Sequence, residues 1–229
     1  MDATMPPGFF CMDCMEAMAR FPDKFFDLAI VDPPYGDGAK KSGGGARHIT
    51  FGLRKKDKNY QNRRDVGGEI LKKIVAWDFA PGDDYFKELF RVSRNQIIWG
   101  GNYFSLPPTR CFIVWVKLMS ENFSMAMAEY AWTSFTGNAK IFACAPQGTA
   151  RERRFHPTQK PVKLYTWLLK NYAKPGDKIL DTHVGSASSL IACHRSGLEY
   201  WGYEIDPEYY EKASERLEME KAQLNIFAL

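Results

Sequence analysis

The stretch Leu28-Ala29-Ile30-Val31-Asp32-Pro33-Pro34-Tyr35 joins an apolar run to a carboxylate, two prolines and an aromatic ring. A short apolar run of this kind is typical of a buried strand. Open α/β sheets bind ligands outside the carboxyl ends of their strands, so Asp32 is expected at the ligand-binding edge. The stretch therefore predicts a buried strand that delivers Asp32-Pro33-Pro34-Tyr35 to a binding site.

These four residues suit the recognition of an amine on a nucleic-acid base. The lone pair of such an amine is delocalised into the ring, so a transfer enzyme must accept hydrogen bonds from the amine. The Asp32 carboxylate and the Pro33 carbonyl are acceptors, and proline restricts its own backbone and that of the preceding residue. Tyr35 offers a face on which an extruded base can stack, worth about 1–3 kcal/mol in single-strand binders. A proline turn with a capping Asp is the alternative, and the downstream sequence favours the functional interpretation.

A strand, a turn of small residues and a helix are predicted in the last quarter of the chain. The strand covers Lys178 to Asp181, the turn extends to Ser189, and the helix continues through Leu190, Ile191 and Cys193. Such a unit lets the backbone approach a nucleotide-like ligand. The turn has Gly185 but no GxGxxG, which disfavours a hydride-transfer enzyme.

A third strand is predicted over 199–203 and leads into Glu204, 23 residues beyond Asp181. An acidic residue about 20 residues beyond the glycine turn binds ribose hydroxyls in nucleotide folds. Asp206, which precedes Pro207, is better explained as the N-cap of the next helix.

Three motifs, in this order, resemble those of the β class of DNA amino-methyltransferases: Asp32-Pro33-Pro34-Tyr35, His156-Pro157-Thr158-Gln159-Lys160-Pro161, and the turn from Asp181 to Ser189. The resemblance implies S-adenosylmethionine as cofactor and DNA as partner. It also implies an α/β, Rossmann-like methyltransferase fold, with a mostly parallel twisted sheet and an antiparallel edge. The catalytic half precedes the cofactor half, as in the circularly permuted order of that class.

The resemblance implies a role for each matching residue. Asp32, Pro33, Pro34 and Tyr35 would form the target-amine site. The cofactor would be held by Asp13, Cys14, Thr158, Lys160, Asp181, Gly185, Ser186 and Glu204. Within this set, Asp13 would contact the cofactor adenine, and Thr158 and Lys160 would bind its methionine carboxylate. A helix-capping role for Asp13 stays open, and His156 is expected to be structural.

The DPPY form of the first motif favours the 6-amino group of adenine, because family members that act on the cytosine 4-amino group more often have Ser at the position of Asp32. Two departures, Ala187 in place of a second glycine and His183 in place of an aromatic residue, keep a non-catalytic DNA-binding partner subunit as an alternative. A homodimer and a cognate restriction nuclease also stay open as partners.

Basic residues are concentrated in a loop predicted at about 37–72. Between Lys40 and Arg64, nine basic residues stand against one acid, Asp57, which gives that segment +8 and leaves −4 for the rest of the chain. The nine are Lys40, Lys41, Arg47, Arg54, Lys55, Lys56, Lys58, Arg63 and Arg64. We expect a mobile loop that binds DNA phosphates, with a solvated insertion as the alternative.

The middle of the chain predicts strands at 96–99 and 111–116, and an antiparallel pair from 129–134 and 140–144. The turn 100–104 would border a flipped base or merely close a strand. Arg151, Arg153 and Arg154 would contact phosphate or solvate a loop.

The whole chain of 229 residues is expected to form a single methyltransferase domain. The sequence contains no run of about 18 apolar residues, so no membrane span is predicted, and no secretion signal is evident. The five cysteines include one CxxC, Cys11 and Cys14, without a second close pair for zinc. Free thiols and a cytoplasmic location, in a bacterial or phage-infected cell, are expected.

Overall fold

The computed structural model describes residues 4–36, 79–119, 126–146 and 155–227. The basic loop expected at 37–72 lies outside the described residues, as do Arg151, Arg153 and Arg154.

Eight described strands form one sheet in the order β1-β8-β7-β2-β3-β5-β4-β6. The strands are β1 (Gly8–Cys11), β2 (Phe26–Val31), β3 (Ser93–Trp99), β4 (Phe112–Val116), β5 (Ala128–Thr133), β6 (Lys140–Ala143), β7 (Lys178–Asp181) and β8 (Glu199–Glu204). The first five in sheet order are mutually parallel. Strand β5 is antiparallel to both of its neighbours, β3 and β4, so the mostly parallel sheet with an antiparallel part is confirmed.

Helices cover both faces of this sheet. They are α1 (Cys14–Met18), α2 (Asp83–Val92), α3 (Val162–Tyr172), α4 (Ser188–Arg195) and α5 (Pro207–Phe227), with a 3-10 turn at Gly101–Tyr103. Successive side chains of a strand point to opposite faces. In β2, Leu28 and Ile30 therefore join the core under α3 and α4, whereas Ala29 and Val31 join the core under α1 and α2.

The structure confirms the predicted N-cap at Asp206. Asp206 Oδ1 accepts hydrogen bonds from the backbone N–H groups of Glu208 and Tyr209, at 2.8 and 3.2 Å, as an N-cap does. Helix α3 begins directly after Pro161 and buries Val162, Tyr165, Leu168 and Leu169. None of the described helices is long and apolar enough to cross a membrane.

The predicted antiparallel pairing of 129–134 with 140–144 is wrong. Both segments form strands, but β4 lies between them, antiparallel to β5 and parallel to β6. Because both edges of β5 are occupied by β3 and β4, β6 can only extend the sheet on the free edge of β4. Strand periodicity finds the segments but does not choose their partners.

Candidate active site

Five neighbouring parallel strands bring the predicted site residues to one edge of the sheet. Asp13, Glu204, Asp181, Asp32 and Gly100 lie at or just beyond the carboxyl ends of β1, β8, β7, β2 and β3. This is the edge at which open α/β sheets bind ligands. The sequence-based expectation that Asp32 and the Asp181 turn face the same site is consistent with this arrangement.

The Asp32 carboxylate is bound on both oxygens. The Tyr35 hydroxyl donates to Oδ1 at 2.7 Å, and the Lys160 ammonium donates to Oδ2. The Asp32 side chain is 14% exposed, so it lies at the boundary between the core and the open edge. A carboxylate offers about four lone-pair sites, so both oxygens can accept a further donor.

Lys160 stands in a row of alternating charges. Its ammonium, with the side chain only 4% exposed, pairs with Asp32 and lies 3.2 Å from Glu129 Oε2. The other oxygen of Glu129 pairs with Lys117 at 2.5 Å. Burial acts to lower the pKa of Lys160, but the attraction of Asp32 and Glu129 outweighs it and raises that pKa. Burial likewise acts to raise the pKa of Glu129, and the two lysines reverse this to a lowered pKa.

The ring of Tyr35 packs on the backbone of Gly100. A Cβ built on Gly100 would lie 2.1 Å from that ring, and the residue has φ +66°, so glycine is required for both reasons. Tyr103 stacks on Tyr35 with ring centroids 4.9 Å apart and an angle of 13°. Tyr103 is 52% exposed, so the turn presents an aromatic surface at the edge.

Asp181 is buried at the end of β7. Its Oδ1 accepts from the backbone N–H of His183 at 3.0 Å, and its Oδ2 accepts from the Ser189 hydroxyl. Burial raises the pKa of Asp181 to about 7, against the opposing effect of these hydrogen bonds. Burial also lowers the pKa of His183 to about 4, so this imidazole is neutral at pH 7.

A second aromatic cluster supports His183. The Tyr85 hydroxyl and the Thr182 hydroxyl are 2.6 Å apart, and Thr182 in turn lies 2.9 Å from His183 Nδ1. The Tyr85 ring meets the His183 ring edge to face at 5.4 Å. The departure at His183 therefore fills a packed, hydrogen-bonded position.

The glycine turn is held by Glu204. The Gly185 N–H donates to Glu204 Oε2 at 2.8 Å, and the Asp206 N–H donates to Oε1 at 3.0 Å. Burial raises the pKa of Glu204. Gly185 has φ +56°, and a Cβ there would meet the His156 ring at 3.2 Å. His156 thus covers the turn, which supports the structural role expected for it.

The rest of the turn is strained and buried. Ala187 adopts φ +61°, a left-handed conformation that favours glycine, and has no exposed surface. Arg216 of α5 donates to the Ser186 carbonyl at 2.7 Å and to the Ser188 hydroxyl at 2.9 Å. Ala187, which stands in place of a second glycine of the family motif, is thus accommodated at the cost of backbone strain.

The remaining predicted cofactor residues are arranged as follows. Asp13 Oδ1 caps α1 by accepting from Met15 N and Glu16 N at 2.8 and 3.1 Å, which confirms the capping alternative and leaves its cofactor role a prediction. Burial, with the adjacent Asp13 charge, raises the pKa of Cys14 to about 12. The Thr158 hydroxyl lies 3.2 Å from His156 Nδ1.

Glu129 and Lys117 were missed by the sequence analysis, and Tyr103 was included only as part of the turn 100–104, which would border a flipped base or close a strand. The signal for the charged pair is a lysine directly after β4 and a glutamate near the start of β5, and it becomes meaningful only once the two strands are known to be neighbours. Lys160 was predicted at the cofactor carboxylate. The structure adds a direct contact with Asp32, and its cofactor role stays a prediction.

Comparison with known proteins relates this chain to methylases. The N6_N4_Mtase family model, described as DNA methylase, matches residues 54–215. A protein of Escherichia coli (strain K12) named "Putative methylase YubD" is 27% identical over 213 residues, 90% of this chain and 87% of that protein. The Type II methyltransferase M.HpaI of Haemophilus parainfluenzae is 41% identical over 73 residues, 31% of this chain and 22% of that protein.

Two solved structures share the fold. The M1.HpyAVI-SAM complex has a TM-score of 0.55 at 20% identity and covers 91% of this chain and 98% of that chain. The PvuII DNA methyltransferase (cytosine-N4-specific) has a TM-score of 0.54 at 15% identity and covers 93% and 86%. Since the family model spans more than two thirds of the sequence and includes both downstream motifs, the chain belongs to the N6/N4 DNA methylase family.

Proposed function

We propose that this protein transfers a methyl group from S-adenosylmethionine to the 6-amino group of adenine in DNA. The observation that carries the proposal is the shared edge of the five parallel strands. There the acceptors of Asp32-Pro33-Pro34-Tyr35 lie beside the turn that contains Asp181 and Gly185, and Glu204 at the end of β8 binds that turn. We call the ends of β2 and β3 the target side, and the ends of β1, β7 and β8 the cofactor side.

The residues of the cofactor side fit S-adenosylmethionine. Its ammonium and ribose hydroxyls are hydrogen-bond donors, and Asp13, Asp181 and Glu204 supply carboxylates with acceptor capacity beyond their present bonds. Gly185 keeps the backbone free of a Cβ where His156 already approaches. The structural relative M1.HpyAVI was solved as a SAM complex, which supports the same cofactor here.

The chemistry on the target side consists of alignment and electrostatic stabilisation. The bound cofactor would supply a methyl group on a sulfonium, already activated for displacement. Asp32 would accept one hydrogen of the amine, and the Pro33 carbonyl the other, so that the nitrogen lone pair points at the incoming carbon. The negative charge of Asp32 would stabilise the positive charge that develops on the nitrogen.

The base must leave the duplex to reach these acceptors. The stacked pair of Tyr35 and Tyr103 offers the aromatic surface that would hold it, at about 1–3 kcal/mol per stacked base. The nine basic residues between Lys40 and Arg64 are proposed to bind DNA phosphates. A homodimer, a cognate restriction nuclease, a single domain and a cytoplasmic location stay predictions.

The cytosine 4-amino group is the second candidate substrate. It requires the same two acceptors, and one relative of the same fold is cytosine-N4-specific. The motif with Asp32, in place of the Ser more common in enzymes of that specificity, favours adenine.

The test is direct. Purified protein is incubated with unmethylated genomic DNA and methyl-labelled S-adenosylmethionine, and the DNA is digested to nucleosides. We expect the label on N6-methyl-2′-deoxyadenosine. Label on N4-methyl-2′-deoxycytidine would replace the proposal with the second candidate. If neither nucleoside is labelled although the protein binds the cofactor, the catalytic assignment is wrong.

A further inference from the structure

Four charged side chains form a continuous row behind the target side. Their order is Asp32, Lys160, Glu129 and Lys117, and the three joining distances are all ion-pair distances. The two lysines are 4% and 9% exposed. Each ammonium also lies 5.3 Å from the centre of a tryptophan ring, Trp99 for Lys160 and Trp115 for Lys117.

Burial of this row is costly unless the charges are paired. An ammonium removed from water loses several kcal/mol of solvation, which good geometry and a full set of partners must offset. Lys160 donates to Asp32, lies within ion-pair distance of Glu129 and is 5.3 Å from the centre of the Trp99 ring. The two carboxylates therefore compensate the charge of Lys160 without a contribution from the cofactor.

We propose that Lys160, anchored by Glu129, is a positioning residue for Asp32. This positioning role rests on the proposed function, because it concerns how Asp32 binds the target amine. The Lys160 ammonium donates to Oδ2 of Asp32, and the Tyr35 hydroxyl donates to Oδ1. These two hydrogen bonds fix the orientation of the carboxylate. The remaining lone pairs then face a defined direction before the base arrives, and no reorganisation is needed at the moment of transfer.

Glu129 has an electrostatic function in this arrangement. An isolated ammonium next to Asp32 would cancel the negative charge that stabilises the developing positive charge on the amine. With Glu129 at 3.2 Å on the other side of Lys160, the three groups at the Asp32 end of the row sum to one negative charge, and Lys117, at the far end of the row, brings the whole row to neutral. Lys117 lies beyond Glu129 and pairs with it, so it holds the anchor in place.

The experiment measures two quantities on each variant: the dissociation constant for S-adenosylmethionine by calorimetry, and the single-turnover rate of methyl transfer at saturating cofactor. For Lys160→Met we expect the rate to fall about 100-fold, the loss typical of a misplaced reacting group. The dissociation constant should change less than about tenfold, whereas loss of a charge-assisted contact to the cofactor carboxylate would raise it about 10- to 100-fold.

Glu129→Gln, which keeps the shape of the side chain, provides a second test if Lys160→Met fails to fold. We expect about a tenfold lower rate and an unaltered dissociation constant, since one charge of the group is removed without moving the cofactor side. Lys117→Met serves as the comparison variant, because Lys117 contacts Glu129 and not Asp32. We expect it to lose less rate than Glu129→Gln and about as much thermal stability as Glu129→Gln.

The outcomes separate the two proposals. Loss of cofactor affinity with a normal saturated rate in Lys160→Met would overturn the positioning role and return Lys160 to the cofactor. Normal rates in both Lys160→Met and Glu129→Gln, with only the melting temperature lowered, would also overturn it. Failure of the unsubstituted protein to transfer methyl at all would instead contradict the proposed function.

Discussion

The target side and the cofactor side of the edge are built from contacts of very different range. On the cofactor side, Asp181 binds His183 and Ser189, two and eight residues away, and Gly185 binds Glu204, 19 residues away. On the target side, Asp32 binds Lys160 across 128 residues. The hydrogen bonds within the β7–β8 part of the cofactor side are therefore largely local, although β1 joins that side from the other end of the chain, whereas the contact of Asp32 with Lys160 depends on the whole fold.

This difference explains which residues could be found from the sequence. The turn from Asp181 to Ser189, the strand ending at Glu204 and the Asp206 cap follow from local patterns, and all are found at the expected positions. The environment of Asp32 is set by β5, which carries Glu129, and by the segment before α3, which carries Lys160. No local pattern indicates that these two segments meet.

The largest effect is expected at the centre of the target side. Asp32→Ala removes the acceptor and the charge that face the amine, and should lower the single-turnover rate of methyl transfer by about 1,000-fold. Asp32→Asn is the matched control for shape, and should also be severely impaired because its amide carries no charge. A rate within a few-fold of the unsubstituted protein for Asp32→Asn would show that the charge is not used.

Gly100→Ala tests the packing of the target side. The new Cβ would lie 2.1 Å from the Tyr35 ring, so the ring and the Asp32 carboxylate it contacts must move. We expect about a 100-fold lower rate of methyl transfer. Gly197→Ala is the control, since Gly197 has φ +65° but nothing within 4 Å of the new Cβ.

In that control, only the backbone strain of about 1–2 kcal/mol should appear, as a lower melting temperature. Equal losses of rate in Gly100→Ala and Gly197→Ala would mean that strain alone, and not the displaced tyrosine, accounts for the effect.

Gly185→Ala tests the cofactor side. The left-handed backbone and the His156 ring 3.2 Å away both oppose a Cβ, so the turn must shift. The expected result is a dissociation constant for S-adenosylmethionine about tenfold higher, equivalent to about 1.4 kcal/mol. Gly176→Ala, at φ +86° in open space, controls for strain and should bind the cofactor normally. Unaltered affinity in Gly185→Ala would remove this turn from the cofactor site.

Asp181 predicts a pH dependence of stability. Its pKa is raised to about 7 in the folded protein from an ordinary value near 4, so between these values the folded state binds more protons than the unfolded state. Stability must therefore fall as pH rises through this window. Asp181→Asn removes the titrating group and should flatten the fall, by at most about 4 kcal/mol at pH 8 relative to pH 4.

The measurement is urea unfolding of both proteins at several pH values. Parallel stability curves for Asp181→Asn and the unsubstituted protein would mean that Asp181 does not titrate in this range. Because burial is the main cause of the raised pKa of Asp181, this test also reports how much the burial of that carboxylate destabilises the folded protein at high pH.

The division between the two sides is tested most directly by titrating Asp32→Ala with S-adenosylmethionine in a calorimeter. If the target side and the cofactor side are separate, the dissociation constant should stay within about tenfold of the unsubstituted protein, although methyl transfer is lost. A loss of cofactor affinity as large as the loss of rate would contradict the account, because Asp32 would then belong to the cofactor side.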